Sequence, residues 1–267
     1  MTTPAAFPRL IAALHLPPFP GSGHPDAQPI DRIRDFALRN SEAAVKAGVP
    51  ALYLQDLGDH PVARGIPPHI TAGVAVIGAA VRQAFPQLHL GICLLGHSAR
   101  EPLAIAQAIG AQSVRLKVYV GAMVKADGVL EGLAYEAIHY RREIGAEDIA
   151  ILADVYDRTG EPLGRMPLEE EARQAALFGR ADALVLTGHS FAETQEMVAQ
   201  VRRAKLEKPL FIGGGVDAKN VRQALASADG VIVSSAFKPI PGWSRQSLLS
   251  DWDSAKMVDI MRQVNGR

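Results

Sequence analysis

Pro209-Leu-Phe-Ile-Gly-Gly-Gly-Val-Asp217 and Ala228-Asp-Gly-Val-Ile-Val-Ser-Ser-Ala-Phe-Lys238, joined through Asn220-Val221, decide the fold. Each is an apolar run that stops in residues with little side chain: Gly213, Gly214 and Gly215 in the first, Ser234 and Ser235 in the second. Neighbouring strands that end this way present bare backbone N–H groups on one side of a sheet, an arrangement that holds phosphate. In (β/α)8 barrels that site follows the seventh and eighth strands. The stretch therefore reads as the last quarter of such a barrel, with these five residues as its phosphate-binding set. The glycines also admit a plainer reading, as room for the seventh strand to turn. A carboxylate would repel phosphate, so Asp217 is expected to cap the following helix instead.

Upstream, strands and helices alternate from end to end. Apolar, β-branched strands are read at 9–15, 51–55, 88–95, 113–120, 149–155, 183–186, 210–212 and 230–233. Helical spacing is read at 31–47, 70–85, 99–109, 133–144, 168–178, 191–204, 218–226 and 248–264, several of them closed by glycine. About eight strand–helix units in one chain of this length is the barrel count, and no linker divides it, so 1–267 is expected to form one α/β domain, a (β/α)8 TIM barrel. A doubly wound open sheet is the rival architecture. The 121–132 and 160–164 segments are expected to be mobile covers.

Lys plus Arg and Asp plus Glu both total 28, with no basic stripe, which argues against a nucleic-acid partner. The single cysteine, Cys93, excludes an internal disulfide and fits a reducing cytoplasm. The first residues carry Arg9 but no signal-peptide pattern, and no run approaches the ~18 apolar residues that span a bilayer. A cytoplasmic protein that does not span the membrane is expected, with a homo-oligomer compatible.

Barrel chemistry collects where strands end. Those ends carry His15, Gln55, Asp56, Asp154, Thr187 and His189, with Asp59 and His60 just beyond the second strand. In the fourth strand Arg115, Lys117 and Tyr119 alternate and are expected to share the inner face, with Val114, Leu116 and Val118 toward the helices. Charges inside a barrel need partners, and Asp154 is the natural one for Lys117 or Arg115. These groups either fill the barrel as an ion-paired layer or act on a substrate. For the second reading Lys117, Asp154, His15 and Asp56 are the catalytic set, and Gln55, Tyr119, Thr187 and His189 contact substrate. The histidines show no His-Glu-x-x-His spacing, so neither metal nor cofactor is expected; His15, Asp56 and Asp154 are the alternative ligand set.

Several blocks in shared order resemble the BtpA/SgcQ family. They are Ala13-Leu-His-Leu-Pro-Pro-Phe-Pro-Gly-Ser22, Leu57-Gly-Asp-His-Pro61, Val114-Arg-Leu-Lys-Val-Tyr-Val-Gly-Ala122, Asp127-Gly-Val-Leu-Glu-Gly132, Ala153-Asp-Val155, Ala181-Asp-Ala-Leu-Val-Leu-Thr-Gly188 and the closing glycine–serine stretch. The family pattern has Glu-Asn at Gln55-Asp56, Asn-Val-Leu-Arg-Asn-Asp at 93–98, Asn at Lys117 and Lys-His around Arg158-Thr159. These departures lie at the barrel mouth, where they bear on ligand and reaction. The resemblance implies a (β/α)8 barrel and, through its best-known role, support of photosystem I accumulation. Two functions follow as expectations. One is an enzyme with isomerase- or lyase-type chemistry on a small phosphorylated metabolite, a sugar phosphate or nucleotide derivative. The other is a non-catalytic assembly or regulatory factor.

Overall fold

A computed structural model describes residues 7–59, 61–240, 242 and 244–266; His60 lies outside them. Eight parallel strands close into a barrel in the order β1-β11-β10-β9-β7-β4-β3-β2. They are β1 (Leu10–His15), β2 (Ala51–Gln55), β3 (His89–Cys93), β4 (Ser113–Leu116), β7 (Ala150–Asp157), β9 (Ala183–Thr187), β10 (Leu210–Ile212) and β11 (Gly230–Val233). The seam is made by Leu10, Ile11 and Ala12 opposite Val231, Ile232 and Val233. An open sheet is thereby excluded.

Strand alternation sorts side chains into two cores. Ile11, Ala13, Ala51, Tyr53, Cys93, Leu152, Val185, Phe211 and Ile232 fill the interior. Leu10, Ala12, Leu14, Leu52 and Leu54 pack outward with the helices. Interior space is tight: a Cβ on Gly91 would come within 2.1 Å of the Tyr53 ring, so that glycine makes room for an aromatic layer. The helices turn one apolar stripe inward, as α1 (Ile30–Lys46) does with Ile33, Phe36, Ala37 and Ala44.

Four expectations are corrected. β4 ends at Leu116, so its alternation does not extend to 120. The covers are not loops: β5 (Ala122–Lys125), β6 (Gly128–Glu131) and β8 (Glu161–Pro162) make a three-stranded antiparallel sheet. Val118 packs there with Met123 and Leu130 rather than facing the helices. The final helix is split into α8 (Arg245–Leu249) and α9 (Ser254–Val264), because Asp253 caps α9 through the N–H groups of Ala255 and Lys256.

Candidate functional site

Above the apolar layers, the upper ends of the strands open into a cavity of about 890 Å³ whose lining includes His15, Lys117, Lys125, Ser235 and Lys238. His15 ends β1, and its Nδ1 lies 3.3 Å from Ser234 Oγ. Burial lowers its pKa to about 3, aided by Lys238, Lys117 and Arg115, so the imidazole is neutral. Lys117 follows β4 in the same inward phase. Among the described residues its ammonium has no hydrogen-bonding or ion-pairing partner.

The partner of Asp154 is Arg115, one layer below. Nε donates to Oδ1 at 2.9 Å and Nη2 to Oδ2 at 3.1 Å, a bidentate pair that occupies both carboxylate oxygens. Burial pushes the Asp154 carboxyl up, and Arg115 opposes it. A register shift between Asp154 and Tyr156 then changes which side chains face inward. It brings Asp157 to the mouth, where Lys125 Nζ donates to Oδ2 at 2.6 Å and Thr159 holds Oδ1. Burial works against the Asp157 charge, but Lys117 and Lys125 outweigh it and hold the carboxyl below the usual range.

Asp56 lines a neighbouring smaller pocket with Asp59 rather than this cavity; it is 4% exposed and accepts the Leu95 N–H at 2.7 Å. Burial lifts its carboxyl to about 6; the Leu95 bond opposes this and Asp59 adds to it. Gln55 is buried at the end of β2 beside it. Lys238 donates from Nζ to the carbonyls of Ser247 and Leu248, and burial lowers its pKa to about 8.

The glycine run follows β10 beside Thr187, Arg115 and Arg158; of the sequence-predicted phosphate set only Ser235 lines the cavity itself. The N–H of Gly213 is used by Leu186 O, whereas those of Gly214, Gly215, Ser234 and Ser235 donate to no protein acceptor among the described residues. A Cβ on Gly213 would meet Thr187 Oγ1 at 2.1 Å and Arg115 Nη2 at 2.9 Å, so only glycine fits there. Thr187 Oγ1 is buried and has no hydrogen-bond partner among the described residues. Arg158 donates to Gly188 O at 3.0 Å, and its Nη2 lies 3.7 Å from the Cβ position of Gly214. Asp217 is engaged elsewhere, its Oδ1 accepting the N–H groups of Lys219 and Asn220. No three or more His, Cys, Asp or Glu side chains among the described residues gather as a metal site.

Tyr119 is corrected: with β4 ended, its ring turns outward and its hydroxyl donates to Gly179 O, away from the mouth. His189 is exposed, 3.5 Å from the Tyr156 hydroxyl, and does not line the cavity. Sequence reasoning missed roles for Lys125, Asp157, Arg158 and Lys238. Asp127-Gly128, a hairpin dipeptide, is the signal that would have placed Lys125 on a strand over the mouth.

The neutral His15 sets an acid dependence. Its pKa is near the ordinary 6.5 unfolded and about 3 folded, so the folded state binds this proton less tightly. Its contribution to stability is present above about pH 6.5 and is lost as pH falls toward 3. Asp56 acts oppositely, because a carboxyl lifted to about 6 takes up its proton preferentially in the fold. His15→Gln is therefore expected to flatten the fall of Tm between about pH 6.5 and 4. An unchanged slope would mean that the imidazole is charged in the fold.

Comparison with known proteins agrees with this architecture. Photosystem I biogenesis protein BtpA of Synechocystis is 30% identical over 86% of this chain and 80% of its own length. An uncharacterised mitochondrial protein of Caenorhabditis elegans is 28% identical over 97% of this chain and 93% of its own. Among solved structures, a native KDPGal structure superposes with TM-score 0.58 at 15% identity, covering 96% of this chain and 94% of that one. Phosphoribosyl anthranilate isomerase from Thermotoga maritima gives TM-score 0.56 at 15% identity, covering 97% and 99%. At such identities the structural likeness establishes the barrel alone. The BtpA family profile matches residues 8–265, and the chain belongs to the BtpA family.

Proposed function

We propose that this barrel binds a small phosphorylated metabolite at its mouth and carries out isomerase- or lyase-type chemistry on it. The observation that carries the reading is the gathering of Lys117, Lys125 and Lys238 around one cavity, next to a neutral imidazole. Three lysines converging on one cavity favour an anionic occupant. The N–H groups of Gly214, Gly215, Ser234 and Ser235 would hold the phosphate, with Arg158 and the Thr187 hydroxyl beside them. Lys117 would stabilise the oxyanion of an enolate-like intermediate. Asp56, with a pKa of about 6, would move the proton, since a base is most effective when its pKa is near the working pH. His15 would hydrogen-bond the reacting oxygen. Asp154 acts through Arg115, and Gln55 would position substrate beside Asp56. The buried Cys93 suits a reducing cytoplasm.

Calorimetric titration with inorganic phosphate and ribose 5-phosphate tests the anion site. A Cβ at Gly214 meets only ordinary contacts of 3.6 and 3.7 Å, so Gly214→Asp should fold. Its carboxylate would repel phosphate and compete for Arg158. Binding is expected to weaken by about two orders of magnitude, in line with a lost charge-assisted contact of roughly 1.5–3 kcal/mol. Equal binding by the variant ends the assignment. The name of the Synechocystis relative favours a second reading, a factor in photosystem I biogenesis, under which mouth residues are replaceable without loss of any turnover.

A further inference from the structure

The cavity at the mouth is lined by two unlike kinds of side chain, cationic and aliphatic. Among the lysines and His15 stand Leu57 and Val62 from the loop after β2, Leu95 after β3, near Lys117 and Lys125, and Leu248 of α8, whose carbonyl accepts from Lys238. None of these four belongs to the hydrophobic clusters of the barrel or its helical jacket. Val62, Leu95 and Leu248 keep part of their surface exposed. A single exposed aliphatic side chain is ordinary, but four from three segments lining one cavity form an apolar binding surface. Asp26, which also lines the cavity, is taken by Arg245, and Asp127 lies on the cover hairpin. The volume, about 890 Å³, is at the upper end of clefts that enclose ligands of drug size. A pentose or triose phosphate would satisfy the lysines and leave the aliphatic side chains facing water.

We infer that the substrate is a phosphate monoester carrying an aromatic or nucleobase group, rather than a bare sugar phosphate. This rests on the phosphate-binding reading above. The phosphate engages the glycine–serine rim and the ring lies on Leu57, Val62, Leu95 and Leu248. Ring burial supplies affinity because a flat aromatic surface displaces water from all of these side chains at once.

Calorimetry with adenosine 5′-monophosphate, ribose 5-phosphate and adenosine tests the inference. The monophosphate is expected to bind at least about tenfold more tightly than ribose 5-phosphate, and adenosine more weakly than the monophosphate. Leu95→Asn keeps the backbone N–H that Asp56 accepts. It should remove most of the tenfold advantage while leaving ribose 5-phosphate affinity unchanged. Val62→Asn should do the same from the neighbouring loop. Equal affinity for the two phosphates in the wild type, or an advantage that survives both substitutions, overturns the inference and leaves the phosphate site standing. Adenosine binding as tightly as its monophosphate overturns the phosphate reading and the inference with it, as does binding of none of the three.

Discussion

Lys117→Met is expected to lower turnover of the phosphorylated compound bound at the mouth by about 10²–10³-fold, the usual cost of removing one preorganised group that faces developing charge. The loss should appear in kcat more than in KM, because an enolate oxygen carries more charge in the transition state than the carbonyl carries in the ground state. Stability should fall modestly, through the weakened support of the Asp157 charge. Lys117 has no ion pair to lose among the described residues, and methionine retains the volume of the stem. Asp157 would lose one of the two lysines that depress its pKa, so its carboxyl should move back toward the ordinary range while Lys125 still holds it. Thermal denaturation beside steady-state kinetics separates the two effects. A folded Lys117→Met chain with full turnover would reduce the lysine to a lining residue, and the assembly-factor reading would gain.

The barrel was legible because its closing strands end in residues that have little other use. Gly213 needs to be glycine for Thr187 and Arg115 to pack against it, and that need is written in the sequence as a glycine run. Alternation also placed Arg115 and Lys117 inward. It failed where regular pairing stopped. Tyr119 lies beyond the end of β4, so period-two reasoning no longer applied to it. Asp157 faces the mouth because of a register irregularity after Asp154, and such a shift has no local sequence mark. Arg115 and Lys117 were equally placed to take Asp154. The choice depends on depth: Arg115 pairs in register with Leu152, inside the barrel, and its forked guanidinium reaches both carboxylate oxygens.

That choice leads to the largest expected effect on stability. Asp154 is 5% exposed and both its oxygens are held by Arg115, so Asp154→Leu would leave a buried guanidinium without its carboxylate. Breaking one side of a buried pair costs about 3–5 kcal/mol, equivalent to roughly 6–20 °C in Tm for a chain of this size. Arg115→Met combined with Asp154→Leu removes both charges and should recover most of that loss, since a matched apolar pair often does as well as the ion pair it replaces. The double variant also separates structure from chemistry. Arg115 Nη2 lies 2.9 Å from the Cβ position of Gly213, so the pair underlies the glycine rim and holds it from below. If it only supports the rim, the double variant should regain stability and much of its phosphate affinity. If Asp154 itself takes the proton, stability returns and turnover does not. A single Asp154→Leu chain as stable as the wild type would show that the barrel does not depend on the pair, and that Arg115 finds water or another acceptor when its carboxylate is gone.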